Sequence, residues 1–82
     1  MSIYNEKPSP IEVWLTQENM EVNCMMVRED ESTDTSLDVM SLSMRGAQRE
    51  VTGALIEWGY KPDGRWVQEA DGENWRRFKL AT

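Results

Sequence analysis

The stretch at 44–58 constrains the fold more than any other part of this chain. Met44, Ala47, Val51, Ala54, Leu55 and Trp58 recur at helical spacing and lay one apolar stripe along a helix. Arg45, Gln48, Arg49, Thr52 and Glu57 take the outer positions. Ser43 is suited to cap the helix, because its hydroxyl can accept from a first-turn N–H. Gly59 supplies a left-handed stop, and Pro62 prevents continuation. Gly46 and Gly53 interrupt the pattern at a cost of about 1 kcal/mol each against Ala. Their presence implies a close helix–sheet approach or a weak helix.

A single stripe must be buried against something, and the flanking sequence supplies strands. Ile11, Val13 and Leu15 alternate with Glu12, Trp14 and Thr16, the period of a half-buried strand. A turn at 17–19 leads to a second strand at 20–28. Met20, Val22, Cys24 and Met26 share one face of it, while Met25 and Val27 suggest that its second half is covered on both sides. The acidic, hydroxyl-rich run at 29–36 reads as a solvated hairpin loop. A third strand follows at 37–42, with Met40 and Leu42 on one side and Leu37 and Val39 on the other.

Beyond the helix, Lys61-Pro62-Asp63-Gly64 reads as a turn. Residues 65–69 and 74–80 read as two strands joined at Asp71-Gly72, a strong two-residue hairpin signal. Pairing Ala70 with Glu73 sets Gln68 opposite Trp75 and Trp66 opposite Arg77. It also sets Val67 opposite Arg76 and Arg65 opposite Phe78. Trp66, Trp75 and Arg77 then share a face. The expected fold is α+β in the order β-β-β-α-β-β, with one amphipathic helix on one face of an antiparallel sheet. Residues 1–10, with Pro8 and Pro10, read as a flexible N-terminal arm, and residues 11–82 as a single domain.

A chain of 82 residues buries only roughly 60% of its unfolded surface, so a surface groove or a site shared between subunits is expected in place of a deep pocket. Seven aromatic residues exclude a disordered acidic tail. The N-terminal sequence lacks the apolar core of a signal peptide, and no apolar run approaches a membrane span. The expected location is cytoplasmic.

Catalytic and metal chemistry find little support. There is no histidine and one cysteine, whereas structural zinc needs four such ligands. The acidic loop lacks the glycine and terminal glutamate of an EF-hand. Cys24 lies on an apolar strand face with no histidine to generate a thiolate. The chain is expected to be a non-enzymatic interaction or regulatory module without cofactor or metal.

Two surfaces are candidates. The net charge of −6 disfavours non-specific nucleic-acid binding, but the average hides an asymmetry. Residues 1–42 hold nine acids and two bases, and residues 43–82 hold six acids and seven bases. Trp66, Trp75 and Arg77, with Trp14 alternating away from the core face of its strand, form a candidate face for a protein partner or a second copy of the chain. The plainer alternative is that the tryptophans fill core and the arginine stems pack over them. Arg45, Arg49, Lys61, Arg65, Arg76 and Lys79 form a candidate nucleic-acid surface. The methionines Met20, Met26, Met40 and Met44 are expected to line the sheet–helix interface.

Overall fold

A computed structural model describes residues 10–35 and 37–81. The expected N-terminal arm lies outside the described residues, except for Pro10. Five strands and one helix follow the expected order: β1 (Ile11–Glu18), β2 (Glu21–Arg28), β3 (Thr33–Asp34), α1 (Met44–Glu57), β4 (Tyr60–Gln68) and β5 (Asn74–Leu80). The strands form one antiparallel sheet in the order β3-β2-β1-β5-β4.

This order explains the two layers. β3 and β4 are the sheet's two edges, so the connection between them, which contains α1, has to cross the sheet. It covers one face as it does so. Ala47, Val51 and Leu55 of α1 are fully buried, together with Val13 and Leu15 of β1 and Phe78 of β5. Val22, Cys24 and Met26 of β2 extend this core, as does Tyr60 at the start of β4. Ser43 caps the helix, its hydroxyl accepting from the Gly46 N–H at 3.1 Å. Gly59, at φ +97°, ends it.

Only part of the expected methionine lining exists. Met26 is buried and Met44 packs against the core, but Met20 and Met40 are 70% and 80% exposed. Met20 sits in the two-residue turn between β1 and β2, where Asn19 takes φ +56°, so it cannot reach the interface. Gly46 is explained by crowding from the preceding loop and not from the sheet. A Cβ there would stand 2.9 Å from the Ser41 hydroxyl.

The third strand is not at 37–42. It is a short piece, Thr33–Asp34, paired with Val27 and Met26. The alternation at 37–42 is real, since Leu37 and Val39 pack on the core while Met40 and Leu42 face solvent. Its backbone donors are claimed elsewhere. Glu50 of α1 accepts from the Met40 N–H at 2.8 Å, and from the Ser41 N–H and hydroxyl at 3.0 Å each. A groove of about 550 Å³ separates this segment from β2.

The residues expected to turn at 61–64 lie inside β4. Pro62 is tolerated there because β4 is an edge strand, which needs no outward donor. Gly64, at φ +100°, forms part of a bulge between Asp63 and Val67 instead of a chain reversal. Proline and a bulge both blunt an open edge.

The C-terminal hairpin turns through three residues, not two. The Glu69 N–H bonds to the Glu73 carbonyl, and Gly72 takes φ +93°. The β2–β3 turn repeats this geometry. The Arg28 N–H bonds to the Ser32 carbonyl, and Glu31 takes φ +70°. In each turn an aspartate, Asp71 or Asp30, accepts from the backbone N–H two residues on. The two differ at the left-handed position, where one has glycine and the other glutamate.

Two outcomes follow from these turns and tethers. Glu31→Gly relieves a left-handed side chain that costs about 1–2 kcal/mol, less the extra unfolded-state entropy of glycine. Thermal denaturation should show a gain of about 0.5–1 kcal/mol, while Glu31→Gln, which removes only the charge, should leave stability near that of the native chain. Glu50 is held below its ordinary value of 4.5, first by the Met40 N–H and then by Ser41. A lowered folded value means its contribution is present above pH 4.5 and lost as pH falls through the folded value. The difference in Tm between the native chain and Glu50→Gln should therefore shrink on acidification below pH 4.5.

Candidate functional site

The helix covers one face of the sheet, and among the described residues no element covers the other. The registers place one row across four strands of this open face. Met25 of β2 is opposite Trp14 of β1, Trp14 opposite Trp75 of β5, and Trp75 opposite Val67 of β4. The Trp14 and Trp75 rings stack, with centroids 5.7 Å apart and planes 24° apart. Both indoles are half-buried, and Met25 and Val67 at the ends of the row are 40% and 39% exposed.

Polar groups frame the row. The Trp14 indole N–H donates to Glu12 at 3.2 Å, and the Trp75 indole N–H to Glu69 at 2.6 Å. Arg77 reaches the second oxygen of Glu12 at 3.3 Å. On the other side of the row, the Thr16 hydroxyl donates to Glu73 at 2.9 Å. The indole donors are thus satisfied within the chain, and the rings remain as apolar surface.

Charge is graded along the strands. Beyond the row in one direction lie Lys79 and Lys61, which are cross-strand neighbours, and Arg77, with Glu12 and Asp63 among them. Asp63 approaches Lys79 at 4.0 Å. In the other direction lie Glu18, Glu21, Glu69 and Glu73, with no base on those strand positions. The face therefore has a mixed basic end and an acidic end.

Trp14, Trp75 and Arg77 thus meet on the open face, but Trp66 does not join them. The three-residue turn sets Val67, not Gln68, opposite Trp75. A shift of one residue moves side chains to the opposite face. Trp66 instead lies on the helix side, partly buried, where it contacts Phe78 edge-on at 6.4 Å and packs against the core. Met25 and Val67 were missed as members of the face. Met25 and Val27 read as a doubly covered stretch, whereas they lie on the open side. The signal was available in β1, because a two-residue turn after Glu18 puts Met25 opposite Trp14.

The basic candidates divide. Lys61 and Lys79 lie on the open face, and Arg65 is exposed on the β4 bulge. Arg45, Arg49 and Arg76 converge on the helix side, in a groove that also contains Trp66. Arg76 stands over the Phe78 ring at 5.8 Å and donates to the Gly64 carbonyl at 2.8 Å.

Other chemistry is sparse. Among the described residues there is no group of three His, Cys, Asp or Glu side chains placed to hold a metal ion. No helix among them is long and apolar enough to cross a membrane. No protein-family model, curated protein or solved structure matches this chain.

Burial, and secondarily the charge of Asp34, push the Cys24 thiol up to about 11 from 9.0. That lowers the thiolate fraction near neutral pH by about 100-fold. Reaction with a disulfide reagent at pH 8 should be slower by at least this factor in the native chain than in denaturant. An equal rate in both would place Cys24 outside the core.

Proposed function

We propose that this chain is a non-enzymatic protein-binding module that pairs with a second copy of itself through the open sheet face. The observation that carries the proposal is the Met25–Trp14–Trp75–Val67 row, a contiguous apolar strip centred on two stacked tryptophans. Tryptophan is prominent among residues that dominate interface energetics, above all at the centre of a patch. An apolar sheet face of this kind is normally covered by a partner.

The gradient of charge supports a second copy as that partner. A two-fold axis running across the strands, along the tryptophan row, reverses strand direction between copies. It lays the end bearing Lys61, Lys79 and Arg77 over the end bearing Glu18, Glu21, Glu69 and Glu73. The apolar rows then meet at the axis. Such self-complementarity is what an isologous contact requires. The non-catalytic part of the proposal is supported by the suppressed Cys24 thiol and by open-face carboxylates already engaged by indole and guanidinium donors. A cytoplasmic location belongs to the same proposal.

Sedimentation equilibrium over a range of concentrations tests it. The native chain should reach twice its 9.5 kDa mass. Trp14→Ser/Trp75→Ser should stay monomeric with its far-UV spectrum retained. Lys61→Glu/Lys79→Glu changes only exposed side chains, and should weaken the dimer by about 10-fold through loss of charge complementarity. A native chain that remains monomeric up to about 1 mM, the range of the weakest specific contacts, overturns the reading.

A further inference from the structure

A second surface lies on the helix side. Arg45 and Arg49 stand one turn apart on α1, with Gly53 and Ile56 in the following turns. Trp66 of β4 and Arg76 of β5 face them across a groove of about 530 Å³. This is within the usual size of small-ligand sites. Three guanidinium groups line the groove, and no carboxylate is among its described lining residues. That is a local excess of positive charge in a chain whose net charge is −6.

Several features of the groove are left without a structural purpose. Arg45 and Arg49 make no ion pair among the described residues, and like charges one helical turn apart destabilise a helix. Gly53 is helical, yet nothing stands within 4 Å of where its Cβ would be, so packing does not require glycine there. Glycine does let a ligand approach the backbone closely. Trp66 and the exposed Ile56 supply an apolar wall beside the cations.

Cations beside an aromatic wall fit a ligand that is part anion and part flat ring. We propose that this groove binds a nucleotide. Arg45, Arg49 and Arg76 hold its phosphate, and its base lies against Trp66 and Ile56. Guanidinium groups match phosphate geometry, and base–aromatic contact tolerates any base. The groove is open to solvent, so the nucleotide can be free or part of a single strand. The proposal is independent of the sheet-face dimer, since the two surfaces share no residue.

The test uses the full chain in 50 mM salt. It is titrated with adenosine monophosphate, with a fluorescein-labelled twelve-residue oligothymidylate, with inorganic phosphate and with polyglutamate. Saturable binding of at least one nucleotide ligand is expected. Binding of both assigns the site to the mononucleotide unit, and binding of the oligonucleotide alone assigns it to a nucleotide within a strand. Arg45→Ala/Arg49→Ala should weaken binding by at least about 10-fold. It should also reduce the salt slope of oligonucleotide binding by about 1.4, at about 0.7 per phosphate contact. Gly53→Leu fills the groove without changing charge and improves helix propensity. It should abolish binding while the Tm is maintained. Trp14→Ser/Trp75→Ser should bind as the native chain does. No nucleotide binding, or binding unchanged in both groove variants, overturns the proposal. So does equal affinity for phosphate or polyglutamate, which would mean general anion attraction.

Discussion

The packing of Val51 and Leu55 of α1 onto Val13, Leu15 and Phe78 is the interaction on which the rest of the structure depends. These are the largest fully buried side chains in the chain. Each contributes about 1.5–3 kcal/mol by leaving water, against a net stability of roughly 4–12 kcal/mol for a domain of this length. Exposing these side chains by removing the helix costs an amount comparable to the whole net stability. Because the connection between β3 and β4 must pass from one edge to the other, it crosses the sheet once, on one side, with 37–42 alongside β2 and α1 over β1 and β4. The uncovered face is thus a consequence of topology. The chain manages that face with a frame of carboxylates, arginine and threonine around a short apolar row.

The same constraint explains what could be read from sequence. The helix was legible because its determinants are local: the 3.6-residue stripe, the Ser43 hydroxyl and the Gly59 stop. β1 and β2 were legible because their alternation is set by burial on one side. The segment at 37–42 was misread because its fate depends on Glu50, a residue on the far side of the loop. A carboxylate that accepts two backbone N–H groups removes the donors a strand would need. Sequence alternation reports which side chains are buried, and does not report where the backbone donors go.

The tryptophans show how much one turn residue can decide. Asp71-Gly72 suits a two-residue turn equally well, and that choice gathers Trp66, Trp75 and Arg77 on one face. With Ala70, Asp71 and Gly72 all in the turn, Trp66 moves to the core side, and Trp75 meets Val67 and Trp14. The expected interface cluster is thereby divided between two surfaces. Trp14, Trp75 and Arg77 lie on the open face, and Trp66 lies with Arg76 on the helix side. Both halves depend on the left-handed conformation of Gly72.

Net charge is a poor guide to this chain because the fold does not distribute its charges evenly over its surfaces. Glu12 is occupied by Trp14 and Arg77, Glu69 by Trp75, Glu50 by the backbone at 40–41, and Asp34 by Arg28. Several of the acids that dominate the total are thus engaged in the open face, the loop and the β2–β3 hairpin. Arg45 and Arg49 line a groove on the helix side whose described lining holds none of these acids. Local field follows from which groups share a surface, and only weakly from the sum over the chain. An acidic protein can therefore carry a cationic groove, provided that its acids are held on other surfaces.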